Sequence, residues 1–387
     1  MKSRQQRRVS GSLSLMKQVN KMQNGIVITA VGDIMLGDLP MCNGFGVGST
    51  IKKYGSKFIF EKIKDELSGD IVFGNLEAVL SDKNKNMFSI NSMSLRGDPK
   101  SVEGLKYAGF NILSLANNHS LEHGYEALYD TVDLLNDNNI IPLGVGREKE
   151  IARKPAVFNI KNKKIAFLGY CLRPDKTAYR SIKNKEEILE DIKNVKENAD
   201  YIILSLHWGD EFVQIPAPWQ IDFAHKLIDN GVSIILGHHP HVLQGIEEYN
   251  GGIIAYSLGN FVFDMWQRKE RESVILKCIL SENGEINKEL IPVFINKSYQ
   301  PEVLYDNNAK NLLSKIDMLS LDLINGDLLN MDEKEYEIEA KLCWAMHHKS
   351  YKKHFLKNIH KYQRGLGIQL ILKSANQKLK RFVKGST

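Results

Sequence analysis

Short apolar runs separated by longer amphipathic stretches fill the chain from about residue 25 to about residue 300. IVITAVG (26–32), DIVFGN (70–75), FNILSLA (110–116), KIAFLGY (164–170), YIILSLH (201–207), SIILG (233–237), IIAYSLG (253–259) and VILKCIL (274–280) have the length and apolar content of buried strands. Between them, KFIFEKIKDELS, GYEALYDTVDLLNDN, NKEEILEDIKNVKEN and PWQIDFAHKLIDN place apolar residues at helical spacing. Such interleaving predicts a layered α/β domain with its sheet covered on both faces. The later strands have less helix between them, which admits a mixed or two-sheet arrangement. After about residue 305 the strand pattern stops. DEKEYEIEAKLCWAMHHKSYKKHFLKNIHKYQRG reads as one or two helices, acidic first and basic later, followed by LGIQLILKSANQKLKRFVKGST. The expected organisation is a basic tail over 1–24, an α/β domain over 25–300 and a helical, basic appendage over 301–387.

Composition narrows the class. With 387 residues, 43% hydrophobic and 25% charged, the chain is an ordinary soluble globular protein able to bury a large core. No run approaches the roughly eighteen apolar residues of a membrane span, and the basic N-terminus has no apolar core behind it, so neither a transmembrane helix nor a secretory signal is expected. Cys42, Cys171, Cys278 and Cys343 are scattered without paired spacing. That excludes a disulfide framework or a thiolate zinc site and suits a reducing cytoplasm. The net charge of +6 is unevenly distributed: residues 1–24 and 341–387 carry Lys and Arg with no acid, which leaves an acidic middle. A nucleic-acid groove in the core is therefore disfavoured. The basic C-terminus reads as a solvated face, or as a contact for an anionic membrane surface, nucleic acid or acidic polymer.

The chemistry lies where strands end. IVITAVG runs into Asp33, DIVFGN into NLE with Glu77, and FNILSLA into Asn117, Asn118 and His119. YIILSLH ends on His207 followed by WGDE, and SIILG runs into His238, His239 and His241. In α/β sheets the site lies outside the carboxyl ends of the strands, so these residues are expected to converge. The set Asp33, Glu77, Asn118, His119, His207, His239 and His241 offers imidazole, carboxylate and amide ligands without thiolate. It suits Mn²⁺, Fe²⁺, Zn²⁺ or a similar ion, and is large enough for two ions sharing a carboxylate. Each residue also has a plainer reading: Asp33 as a helix cap, the asparagines as turn formers, WGDE as a loop with an anchoring tryptophan. His225 on a helix and His347, His348, His354 and His360 in the appendage are expected to be packed or solvated.

Six stretches, VGDIMLGD, GNLEAVLSD, FNILSLANNHSLEHG, LSLHWGDE, GVSIILGHHPHVLQGIE and IIAYSLGNFVFD, together resemble the bacterial capsule-synthesis CapA family of poly-γ-glutamate biosynthesis proteins, over about residues 26 to 264. That family's fold is related to the calcineurin-like metallophosphatases, so the resemblance implies a layered α/β/β/α sandwich with a helical C-terminal appendage. It implies one ion on Asp33, Glu77 and His241, and a second on Glu77, Asn118, His207 and His239, with His119 near the leaving group. Met35 stands where metallophosphatases have a ligand histidine, so Asp38 or water would have to substitute. Glu77 replaces the usual bridging aspartate. Asn75, Asp210 and Glu211 are, like Asp38, further candidate ligands or supports, with Asp210 or Glu211 expected to orient His207. Trp208 and Trp219 either wall the pocket or pack in the core. The implied chemistry is hydrolysis by a hydroxide activated between two metals, on a phosphoester or on an amide or ester of an anionic polymer. The alternative is a polymer-handling or assembly protein without catalysis, and a nucleic-acid enzyme ranks third.

Overall fold

The computed structural model describes residues 25–173, 185–325 and 331–362, together with 365, 368 and 369. The expected tail over 1–24 and the segment LGIQLILKSANQKLKRFVKGST fall almost wholly outside them. In chain order the strands are β1 (Ile26–Ile34), β2 (Ile71–Leu76), β3 (Val79–Leu80), β4 (Arg96–Gly97), β5 (Ile112–Ser114), β6 (Ile141–Leu143), β7 (Ala156–Ile160) and β8 (Lys163–Cys171). They continue as β9 (Tyr201–His207), β10 (Ile234–His238), β11 (Ile246–Tyr249), β12 (Gly252–Ala255), β13 (Asn260–Val262), β14 (Glu272–Leu280), β15 (Ile286–Ile295) and β16 (Pro301–Val303).

Two mixed sheets form. The first runs β16-β15-β14-β1-β2-β5-β6, with β13 added beside β1, and the second runs β11-β12-β10-β9-β8-β7. Their centres are parallel, β1 with β2 and β5, and β8 with β9 and β10. The sheets face each other through Ile28, Ala30, Ile71, Phe73 and Ile112 on one side and Ile165, Phe167, Ile203, Ile234 and Leu236 on the other. Phe73 stacks on Phe167 with ring centroids 6.0 Å apart. Their opposite faces are buried too. The helices α1 (Val47–Tyr54), α2 (Val102–Ala108) and α3 (Gly124–Asp137) cover the first sheet. The helices α4 (Lys185–Lys196) and α5 (Pro218–Asp229) cover the second through Ile188, Ile192, Ile221, Ala224 and Leu227. Burial on both faces is why β9 reads as an unbroken apolar run rather than an alternating one. The expected α/β/β/α sandwich is therefore the fold.

Some expectations shift in detail. KFIFEKIKDELS forms α-helix only over Ser56–Phe60, then breaks into turns and a short 3₁₀ segment at Lys64–Glu66. IIAYSLGNFV is split between the sheets: β12 lies in the second, and the chain then crosses at Gly259 so that β13 joins β1 in the first. That crossing requires glycine, since a Cβ on Gly32 would lie 1.9 Å from the Gly259 carbonyl oxygen. β15, too polar along much of its length to register as a buried strand, pairs along all of β14.

Among the described residues of the expected appendage, Pro301–Val303 is the edge strand β16 of the first sheet, and two long helices follow. α6 (Asp306–Asn325) inserts Leu312 and Ile316 into the core between the sheets. α7 (Glu333–Asn358) is a single helix whose N-cap Asp332 accepts N–H bonds from Lys334 and Glu335, while Glu335 returns a bond to the Asp332 N–H. It lies over the loops at the carboxyl ends of the strands, burying Tyr336 and Cys343. Among the described residues no helix is long and apolar enough to cross a membrane.

Candidate metal centre

Strand register assembles the site. Asp33 at the end of β1 pairs with Asn75 on β2, and His207 at the end of β9 pairs with His238 on β10. The loop after β10 then holds two histidines in the left-handed region, His239 at φ 97° and His241 at φ 57°. Such backbone costs about 1–3 kcal/mol per residue and persists only where the surroundings impose it. Here Phe212 N–H donates to the Pro240 carbonyl (2.8 Å) and Trp208 N–H to that of His238 (3.1 Å).

Asp33 and Glu77 form the buried acidic centre. Asn75 Nδ2 donates to Asp33 Oδ1 (2.8 Å) and to Glu77 Oε1 (3.0 Å), holding the two carboxyls side by side. His238 Nδ1 lies 3.2 Å from Asp33 Oδ1, and His241 Nδ1 lies 3.4 Å from Asp33 Oδ2. Glu77 sits between the histidine sets, 3.5 Å from His207 Nδ1 and 3.8 Å from His241 Nε2. His207 Nε2 donates to Asn118 Oδ1 (2.6 Å), which leaves its Nδ1 lone pair facing the carboxyls. His241 Nδ1 donates to Asn260 Oδ1 (2.9 Å), which leaves Nε2 facing Glu77. Fixing one imidazole nitrogen by a hydrogen bond so that the other can coordinate is how metal-binding histidines are oriented.

The residues fit divalent ions. Both ring nitrogens of His239, with Glu77 Oε2 and His238 Nε2, are buried without a hydrogen-bond partner. Leaving such groups unpaired costs about 1–3 kcal/mol each, which coordination would relieve. Among the described residues two groups bring their donor atoms within 4.8 Å of one another: Asp33, Glu77 and His207, and Glu211, His239 and His241. Carboxylate and imidazole without thiolate is the donor set of borderline divalent ions.

The charges are arranged accordingly. Burial would raise the Asp33 carboxyl, but hydrogen bonds from His238 and His241 outweigh it and hold Asp33 well below the usual carboxylate range. Burial and the neighbouring Asp33 charge push Glu77 up to about 8. Burial keeps His207 and His239 neutral, ready to coordinate. His241 goes the other way: the Glu77 and Asp33 charges overcome burial and raise it to about 10. A proton on His241 thus stands in for cationic charge between the two carboxyls. At the edge, His119 Nδ1 donates to Glu122 (2.9 Å), and its Nε2 lies 3.2 Å from Asn118 Nδ2. Burial lowers the His119 pKa, but Glu122 and Glu77 more than offset this and raise it.

Asp33, Glu77, Asn118, His119, His207, His239 and His241 are therefore brought together, with closest groupings that differ from those implied by the resemblance. Other expectations are corrected. Asp38 does not reach the cluster, because its carboxylate accepts bonds from the Gly44 and Ser49 N–H groups and the Ser49 hydroxyl at the start of α1. Met35 is buried, its sulfur accepting the Gly37 N–H. Neither Asp210 nor Glu211 is the hydrogen-bond partner that orients His207, which is Asn118, whereas Glu211 keeps its expected place as a candidate ligand. Asp210 pairs with Arg173 (3.1 Å) and the Tyr336 hydroxyl (3.2 Å), while Glu211 joins His239 and His241. Asn75 is a brace between carboxyls, and Asn117 supports it from below. Trp208 is fully buried, its indole N–H on the Tyr256 carbonyl, and Trp219 packs against it edge to face. Two participants were missed. His238 was passed over within the histidine run because only strand register turns it toward Asp33, and Asn260 reaches His241 only through the crossing of β13.

A layered α/β sandwich whose parallel strands end on a buried histidine and carboxylate cluster offers the donor set of a divalent-ion site. The chain belongs to the bacterial capsule synthesis protein PGA_cap family, whose model matches residues 27–265. The capsule biosynthesis protein CapA of Bacillus anthracis is 30% identical over 331 residues, covering 81% of this chain and 77% of that protein. The PGA biosynthesis protein CapA of Bacillus subtilis strain 168 is 31% identical over 287 residues, covering 72% and 73%. Among solved structures, a novel phosphatase from Mycoplasma pneumoniae matches with a TM-score of 0.45 and 15% identity, over 74% of this chain and 97% of that one.

Proposed function

We propose that this protein is a metal-dependent hydrolase of capsule or poly-γ-glutamate production, acting on an amide, ester or phosphoester bond of an anionic polymer. The supporting observation is His239, buried with both ring nitrogens unpartnered in strained backbone beside His241 and Glu211. The names of the relatives supply the pathway. Asp33, Glu77 and His207 would hold one ion and Glu211, His239 and His241 the other, as Mn²⁺, Fe²⁺ or Zn²⁺. Bound ions would supply Lewis acidity and a water acidified toward neutrality. His119, its side chain 20% exposed at the edge of the cluster, would give a proton to the leaving group, with Glu122 fixing its ring. The scattered spacing of the cysteines supports a reducing compartment, and the basic C-terminus supports contact with polyanion or an anionic membrane surface.

The test is metal content of the purified protein beside turnover of a generic phosphodiester and of a γ-linked glutamate polymer. Close to two ions per chain with turnover lost in His119→Ala supports the reading. Absence of both metal and turnover after adding back Mn²⁺ or Fe²⁺ would sink it. One observation favours a second reading, a scaffold that handles polymer with a single ion. Met35 is committed to the core and Asp38 to a loop, so neither supplies the ligand missing from the first motif.

A further inference from the structure

We infer that His347 of α7 is a positioning residue for the metal group Glu211, His239 and His241, clamping it from outside the α/β domain. Its role rests on the function proposed above. Two contacts carry that role. In the first, the His347 ring lies flat on Phe212, with centroids 3.7 Å apart and planes 1° from parallel. Phe212 directly follows Glu211, and its N–H donates to the carbonyl of Pro240 (2.8 Å), the residue between His239 and His241. The Phe212 ring also lies 6.3 Å from that of His241. In the second, His347 Nδ1 donates to Oε1 of the fully buried Glu270 (2.7 Å). The Glu270 main-chain carbonyl accepts Asn260 Nδ2 (2.9 Å), and Asn260 Oδ1 accepts His241 Nδ1 (2.9 Å). One side chain thus steadies both segments that bring the group together. Neither line of contacts ends on Asp33, Glu77 or His207, so loss of His347 should fall on one ion and spare the other.

The group needs such a hold. Phe212, His239 and His241 all stand in the left-handed region, at φ 69°, 97° and 57°. Backbone of this kind persists only where its surroundings impose it. Lys269 Nζ donates to the Phe212 carbonyl (2.9 Å), so Phe212 is fixed at both backbone groups and, by His347, on its ring. The helix itself is seated without His347. Trp266 Nε1 donates to Ser350 Oγ (2.8 Å), the His354 ring stacks on Trp266 with centroids 4.2 Å apart, and Tyr336 donates its hydroxyl to Asp210 (3.2 Å). Truncating His347 therefore removes the clamp and leaves α7 docked. Glu270 is not stranded by that change, because its carboxylate still accepts the Gln267 N–H (3.1 Å) and Gln267 Nε2 (2.7 Å). His347, Glu270 and α7 as a whole lie beyond the residues matched by the family model, so the clamp is distinct from the shared motifs.

The experiment titrates metal-stripped full-length protein with Mn²⁺ by calorimetry in the presence of a competing chelator, with a circular dichroism spectrum of each sample. His347→Ala is expected to weaken about tenfold the ion that His239→Ala abolishes, the low end of what losing a supporting partner costs, and to leave the other ion within about twofold. His347→Phe, which keeps a ring on Phe212 and drops only the Glu270 bond, is expected to weaken the same ion about threefold. Ser350→Ala, one turn further along the same face of α7, is the control, with about a twofold effect at most. If His347→Ala holds that ion like wild type, or weakens both ions equally, His347 only packs the helix, and the clamp is wrong while the functional reading stands. If His347→Ala does not fold, His347→Phe decides by the same comparison. If wild type takes up no Mn²⁺, or only ions that His239→Ala leaves unchanged, the metal reading fails and takes the clamp with it.

Discussion

Replacing Glu77 by Gln is expected to stabilise the metal-free protein at neutral pH and to strip the centre of metal. The side chain is fully buried, and burial together with the Asp33 charge raises its carboxyl from 4.5 to about 8. An unfolded chain ionises this group near 4.5, whereas the folded protein holds the proton until about 8. Stability is therefore full below about pH 4.5 and is lost as the pH rises toward 8. At pH 7, roughly 2.5 pH units into that window, the loss is at most about 3 kcal/mol, because the proton on the paired His241 offsets part of it, and at pH 5 it is under about 1 kcal/mol. Glutamine is neutral at every pH, and its Oε1 can still accept the Asn75 amide. Metal-stripped wild type and Glu77→Gln would be unfolded in denaturant at pH 5 and pH 7. The variant should lead at pH 7, by up to about 3 kcal/mol, and by little at pH 5. Equal gaps at the two pH values, or a variant less stable at pH 7, would show that the metal-free fold keeps Glu77 charged and paired. Full metal content in the variant would remove Glu77 from the ligand set.

Other consequences can be checked directly. His239→Ala should lose metal by elemental analysis while its circular dichroism spectrum stays native, since no hydrogen bond of the fold ends on that ring. Metal uptake near pH 7 should release protons, because Glu77 and His241 hold them in the metal-free protein. Calorimetry in buffers of different ionisation enthalpy should detect this, with affinity rising up to about tenfold per pH unit for each proton displaced. Asn260→Leu, which removes the acceptor that orients His241, should weaken metal binding about 10- to 100-fold in competition with a chelator. Gly46→Ala should destabilise by about 1–3 kcal/mol in thermal unfolding, because the added Cβ would lie 2.0 Å from Asp264 Oδ2 and 2.6 Å from Asp38 Oδ1.

The one-dimensional pattern by itself determined the α/β class, the central parallel strands and most of the cluster. Unbroken apolar runs require burial on both faces, and polar residues at their carboxyl ends can only gather where parallel strands finish together. It could not show β13 or the polar β15, whose pairing depends on neighbours remote in sequence. Nor could it divide the ligands. Asp38 and Asp33 look equivalent five residues apart, yet Asp38 turns to the α1 loop and Asp33 to the histidines. His238 and Asn260 gain their roles only through strand register and the crossing at Gly259. α7 was legible as a helix but not as a clamp, because side chains such as Tyr336 and His347 show no destination until the helix is docked. Local periodicity sets which face of an element is buried; which groups meet across those faces is decided by packing alone.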